Sequence, residues 1–137
     1  KNLLKINVVV LFLAGVMDII RGYSHTFNVR HSAENLAGIE PIADSLYLMG
    51  AFGISNFLTG LLYFLVIWKA RNLTPFVLLI IPISYLIGGL GIAYQNVHPD
   101  AQFIGQHMMF VYLSICLISS LLYFISKTQS IKNSNLS

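Results

Sequence analysis

Four long apolar segments, separated by three polar breaks, occupy most of the 137-residue chain. They cover about residues 6–23, 41–68, 75–95 and 101–126. A helix needs about 20 apolar residues to cross a bilayer, and these segments come close to or exceed that length. In lipid they must be helical, because an open strand would leave backbone polar groups without partners. We therefore predict an all-α protein, an integral membrane bundle of four transmembrane helices.

The low charge content supports this class of protein. Charged residues make up 9% of the chain and apolar residues 56%, whereas about a quarter of an ordinary soluble domain is charged. The length predicts one transmembrane domain over residues 1–127, followed by a flexible polar tail over 128–137. We expect the first segment to be retained rather than removed as a signal peptide, because no small-x-small cleavage site follows it.

The positive charges are unevenly distributed between the two ends of the predicted helices. If the chain crosses four times, six of the eight Lys and Arg residues fall on one side: Lys1, Lys5, Lys69, Arg71, Lys127 and Lys132. The positive-inside rule then makes both termini cytoplasmic, and we expect the chain in a bacterial inner (plasma) membrane. The dispersed charges form no basic run, which argues against nucleic-acid binding.

With this topology all four histidines and all five acidic residues lie on the outer side. Near the end of the first helix, Asp18, Arg21 and His25 are spaced three and four residues apart, so they share one face. The cluster is either an ion pair that anchors the helix end or part of a pocket for a head group or small ligand. The candidate pocket residues are Asp18, Arg21, His25, Gln95, Asn96 and His107.

Small and polar residues also form stripes on two of the predicted helices. Such stripes let membrane helices approach one another closely. We interpret them as packing positions, with a pore lining as the alternative. The predicted packing residues are Gly53, Asn56 and Gly60 on the second helix and Ser84, Gly88 and Gly91 on the third.

No catalytic or metal-binding motif stands out. The histidines show no H-x-x-H, H-x-x-x-H or Glu-x-x-His spacing, and the single cysteine, Cys116, allows neither a metal motif nor an internal disulfide. The chain has no G-x-S-x-G and no paired catalytic carboxylates. We predict no cofactor, with haem, quinone or a metal as disfavoured alternatives, and an enzyme is not favoured.

Two functional hypotheses follow, and a third is weaker. The first is a small non-enzymatic membrane protein that serves as an accessory or scaffold subunit of a larger membrane complex. The alternative is a lipid-binding or small-molecule-binding protein, or a transporter, with an outward-facing polar pocket. The third is an oxidoreductase subunit that uses haem or quinone. The expected partners are the lipid bilayer and other membrane subunits or a second copy of the chain.

Overall fold

A computed structural model describes residues 2–96 and 105–134, and all regular structure within them is helical. The elements are α1 (Asn2–Thr26), the single turn α2 (Val29–His31), α3 (Ala43–Lys69), α4 (Thr74–Tyr94) and α5 (Gly105–Ser134). The shortest of the four long helices, α4, has 21 residues and is about 31 Å long, which matches the ~30 Å hydrocarbon layer of a bilayer. The structure confirms four helices that are long and apolar enough to cross a membrane.

The link between α1 and α3 is itself mostly helical. After α2 the chain forms a π-helical turn, Ser32–Ala37, which ends where Gly38 adopts a left-handed conformation with φ of 62°. The Ser32 hydroxyl donates to the carbonyl of Ser24 at 2.7 Å. This bond ties the link to the side of α1. A 3₁₀ turn, Arg71–Leu73, joins α3 to α4.

Three helix ends differ from those expected from the sequence. The first helix continues to Thr26, so Asp18 lies about 12 Å inside its end rather than at the boundary. The last helix continues to Ser134, through most of the segment predicted as a tail. The sequence Thr74-Pro75 predicts a capping residue at the start of α4, but the Thr74 hydroxyl donates to the Arg71 carbonyl at 2.6 Å instead. The predicted start of the fourth helix near 101 lies outside the described residues.

Helix α1 is the centre of the molecule. It contacts the other three long helices, most extensively α3, and it is the most buried of the four, whereas α4 is the least buried. A core of four side chains fills the end of the bundle near the start of α1: Leu11, Leu78, Ile81 and Cys116. We call this end the closed half.

Two polar contacts hold the closed half together. The Ser119 hydroxyl of α5 donates to the side-chain carbonyl of Asn7 on α1. The Ser120 hydroxyl donates to the Pro75 carbonyl of α4 at 2.7 Å. Because all four residues are buried, these bonds join three helices where water does not compete for them.

The opposite end, which we call the open half, is packed only in part. There α1 and α3 remain in close contact, through residues 15–26 and 50–60. On α4, burial stops at Pro82, and every residue from 83 to 96 is exposed. The first turn of α5 is also exposed. The bundle is therefore closed at one end and loosely packed at the other.

Candidate functional site

A buried polar cluster lies between α1 and α3 in the open half. Asp18 is 4% exposed. Its Oδ2 atom accepts a hydrogen bond from the Thr59 hydroxyl at 2.8 Å, and its Oδ1 atom lies 3.5 Å from Nη1 of Arg21. One turn further along, Nδ1 of His25 lies 3.3 Å from Nδ2 of Asn56. The structure thus brings Asp18, Arg21 and His25 together, and adds two residues from α3.

Glycines allow the two helices to approach closely enough for these bonds. Gly15 and Gly22 lie seven residues apart on α1, and Gly53 and Gly60 lie seven apart on α3. In the antiparallel pair, a Cβ added at Gly53 would lie 3.1 Å from the Gly22 carbonyl oxygen, and one added at Gly60 would lie 3.0 Å from that of Gly15. A seven-residue repeat keeps one helix face turned towards its partner over two turns.

Three residues of this contact were not predicted from the sequence. Gly15 and Gly22 were not recognised as the counterparts of Gly53 and Gly60, and Thr59 was not assigned a role. The available signal was the equal spacing of the two glycine pairs in separate apolar segments. Small residues at matching intervals on two membrane helices favour close packing of those helices.

The Arg21 side chain bridges the cluster and the outside of the helix pair. Its guanidinium carbon lies 5.7 Å from the centre of the Phe52 ring, within the range of a cation–π contact. The His25 ring lies 5.4 Å from the same ring. Among the described residues, Arg21 donates one hydrogen bond, to Asp18, although a guanidinium carries five N–H donors.

The remaining predicted pocket residues lie elsewhere. Gln95 and Asn96 are exposed at the end of α4, and within the described residues no side-chain hydrogen bond joins either of them to the α1–α3 cluster. His107 lies on α5, beside Met17 in a separate groove. His98 lies outside the described residues. The six predicted pocket residues are thus divided among three places.

The predicted packing residues divide in the same way. Gly53, Asn56 and Gly60 are buried against α1. Ser84, Gly88 and Gly91 are exposed, and a Cβ added at either of these two glycines would meet no atom within 4 Å. The Ser84 hydroxyl donates to the Ile80 carbonyl of its own helix at 2.9 Å. The stripe on α4 therefore makes no close packing contact at its glycines.

A groove of about 450 Å³ runs between α1 and α5, with almost entirely apolar walls. Along α5 its lining runs from His107 to Cys116. Its size lies in the range of sites that hold small molecules.

Chemically, the polar cluster is suited to hold two helices together, since Asp18 bonds Thr59 and His25 contacts Asn56 across the α1–α3 contact. In the part of the chain that the structure describes, no three His, Cys, Asp or Glu side chains come together where a metal ion could be held. No protein-family model, curated protein or solved structure matches this chain. Its function is therefore inferred from geometry.

Proposed function

We propose that this chain is a non-enzymatic, multi-pass membrane protein that serves as an accessory or scaffold subunit of a larger membrane complex. The observation that carries the proposal is the open half of α4. Its residues from 83 to 94 are exposed, and among the described residues an added Cβ at Gly88 or Gly91 would meet no atom within 4 Å. A helix from another membrane protein, or from a second copy of the chain, would pack there.

Membrane insertion is supported by where the apolar side chains lie. Large aliphatic residues are exposed along every long helix, for example Leu13, Leu61, Leu86 and Ile118, each more than half exposed. Water-soluble monomers rarely expose contiguous apolar surface on this scale. In lipid the exposure of these side chains costs no free energy, because hydrocarbon tails are as apolar as the side chains themselves.

The same proposal includes four crossings, both termini in the cytoplasm and a location in the bacterial inner membrane. The positive charges at Lys5, Lys69, Arg71, Lys127 and Lys132 support that orientation.

Single cysteines placed in a Cys116→Ser background test the orientation. A membrane-impermeant maleimide added to intact cells is expected to label Glu34→Cys and to spare Lys69→Cys and Lys127→Cys. The reverse pattern would contradict the orientation.

Packing against a partner is supported by the chemistry of the α4 stripe. Between lipid-exposed helices there is no hydrophobic driving force, so association relies on close van der Waals contact, which small residues permit. On α1 and α3 such residues already meet each other. On α4 they remain available, next to Tyr85 and Tyr94, whose hydroxyls can donate to a partner.

Native mass spectrometry of the protein, extracted gently from its own membrane, tests the subunit role. We expect the chain to be released together with another membrane polypeptide or with further copies of itself. A Gly88→Leu variant, which obstructs the stripe, is expected to lose that association, while Ile54→Phe on the exposed side of α3 retains it. Release of the bare chain as a monomer under the gentlest conditions would contradict the proposal.

The α1–α5 groove favours a second function, the binding of a lipid or another small amphiphile. It lies on a different surface from the α4 stripe, since no α4 residue lines it. The two functions are therefore compatible, and one chain can hold both a partner and a ligand.

A further inference from the structure

The groove between α1 and α5 has the shape and polarity of a site for one hydrocarbon chain. Its walls are apolar along their length, with Val10, Leu13 and Met17 on α1 and Met108, Val111 and Ile115 on α5. From Val10 to Met17 the groove follows α1 for about 10 Å. Its volume of about 450 Å³ lies within the range of small-molecule sites.

Two polar residues lie at or just beyond the end of the groove that faces the open half. Arg21 follows Met17 by four residues, so its Cα lies on the same face of α1 and about 6 Å further along the helix axis, while its guanidinium lies beside Asp18 and the Phe52 ring of α3. On α5, His107 is the last lining residue in that direction. The contact between Asn7 and Ser119 aligns the antiparallel helices, and it puts His107 level with about residue 19 of α1. Arg21 and His107 therefore stand at the same end.

Arg21 has the capacity to bind an anion at this end. Its side chain is 22% exposed, and its nearest acceptor, Oδ1 of Asp18, is 3.5 Å away. Asp18 is already satisfied in part by Thr59 at 2.8 Å. A guanidinium has a planar set of donors that matches a carboxylate or phosphate with two parallel hydrogen bonds, and here most of those donors remain unused among the described residues.

We propose that the α1–α5 groove binds an amphiphile with one hydrocarbon chain in the groove and a carboxylate or phosphate held by Arg21 and His107. The apolar walls pack against the hydrocarbon chain of the ligand, and the guanidinium at one end binds its negatively charged head group. The site goes beyond the subunit role, because it uses neither α4 nor a partner. The site therefore binds the amphiphile equally well in the isolated protein and in a complex with a partner.

Native mass spectrometry of the purified chain in a mild detergent tests the charge requirement. Palmitate and 1-hexadecanol have the same chain and differ in the head group. We expect palmitate to bind at least about tenfold more tightly, because a charge-assisted hydrogen bond contributes ~1.5–3 kcal/mol and ~1.4 kcal/mol corresponds to tenfold. Phosphatidylglycerol, added in parallel, distinguishes a phospholipid from a fatty acid: either anion supports the site, and the tighter one identifies its source.

Substitutions in the groove test its position. Val111→Trp fills the groove and is expected to weaken palmitate binding at least about tenfold. The control, Ile118→Trp, introduces the same bulk on α5 at a residue that does not line the groove. Ile118 and Val111 are similarly exposed, 58% and 60%. We expect Ile118→Trp to bind palmitate as tightly as the wild type does. Equal binding by the two variants, with both helical and monodisperse, would overturn the proposed position.

Arg21→Gln is expected to abolish the preference for palmitate over hexadecanol, whereas Arg21→Lys retains it. The double variant Asp18→Asn with Arg21→Gln removes both charges, so it avoids leaving a buried carboxylate alone if the single variant fails to fold. It is likewise expected to lose the preference. A preference that survives in the double variant, or no binding of any anion by the wild type, would overturn the proposal.

Discussion

Two stripes of small residues lie in the open half, and one is buried against a neighbouring helix whereas the other is exposed. Gly53 and Gly60 on α3 are buried against α1, with the α1 backbone so close that an added Cβ would lie 3.1 and 3.0 Å from its carbonyl oxygens. Gly88 and Gly91 on α4 have no close neighbour among residues 2–96 and 105–134. The composition of a stripe thus does not determine whether it packs within the chain. A matching stripe on a second helix does.

The difference has a physical basis in the sequence of the facing helix. Across from α3, helix α1 presents Gly15 and Gly22 at the same seven-residue interval, together with Asp18, which bonds Thr59. The main neighbour of α4 is α5, whose open half carries the bulky residues Met108 and Phe110 after Gly105 and has no pair of glycines seven residues apart within its described part. The α1–α3 pair therefore approaches closely, while the glycines of the α4 stripe meet no other helix among the described residues.

The largest expected effect is a collapse of the α1–α3 contact. Gly53→Leu places a side chain where a Cβ alone would lie 2.9 Å from Cβ of His25 and 3.1 Å from the Gly22 oxygen. We expect a loss of about 3 kcal/mol or more in the free energy of unfolding, measured by denaturant titration with circular dichroism in detergent. Gly88→Leu is the control, and it should fold as an isolated chain. Equal effects of both changes would remove the distinction between the stripes.

A second large effect concerns the charge pair. Arg21→Met leaves the buried Asp18 carboxylate without its cation, which is expected to cost about 3 kcal/mol. Adding Asp18→Asn to that variant should restore most of the stability, because the uncompensated charge is gone. The same titration provides the measurement. If the single and double variants unfold together with the wild type, Arg21 does not compensate the buried Asp18 carboxylate.

A smaller effect is expected at Thr59. Thr59→Val removes the hydroxyl that donates to Asp18 and should cost about 2 kcal/mol, since hydrogen bonds to charged groups contribute ~1.5–3 kcal/mol. Thr128→Val makes the same chemical change on α5, where the hydroxyl donates to the Phe124 carbonyl of its own helix. That control should change the unfolding free energy by less than ~0.5 kcal/mol. Similar losses of unfolding free energy in both variants would show that the hydrogen bond between Thr59 and Asp18 stabilises the fold no more than a bond within one helix does.

The smallest effect is expected on α4. Gly91→Ala adds a methyl group to open space and improves helix propensity, so the isolated chain should be unchanged or more stable by less than about 1 kcal/mol. The matched Gly60→Ala should be destabilised, because its Cβ would lie 2.9 Å from Ile19 and 3.0 Å from the Gly15 oxygen. A destabilised Gly91→Ala would mean that the α4 stripe packs inside the chain.

The sequence predicts the four helices because long apolar runs in lipid have no other regular structure available. Helix ends are harder, since they depend on single hydrogen bonds: Thr74 resembles a capping residue, yet its hydroxyl bonds the preceding turn at Arg71. The extension of α1 to Thr26 depends on contact with α3, where Thr26 packs beside Gly53. A window of local sequence contains no information about that neighbour.

The candidate site was predictable only within one helix. Asp18, Arg21 and His25 share a face of α1 because helical periodicity requires it. Topology places Gln95 and His107 at the same depth as the cluster, but depth does not determine lateral position in a bundle. That position depends on which helices pair, and the pairing follows from the reciprocal glycines of α1 and α3.

Site-specific photo-crosslinking in the native membrane tests the central claim, that the α4 stripe packs against a partner and α1–α3 does not. A photoreactive amino acid replaces Ile87 on α4, which lies three residues after Ser84 and four before Gly91 and so flanks the stripe, or Leu48 on α3; these residues are 65% and 68% exposed. We predict that the probe at Ile87 crosslinks a discrete polypeptide, either another membrane protein or a second copy of the chain, while the probe at Leu48 captures lipid. Lipid alone at both positions would contradict the account.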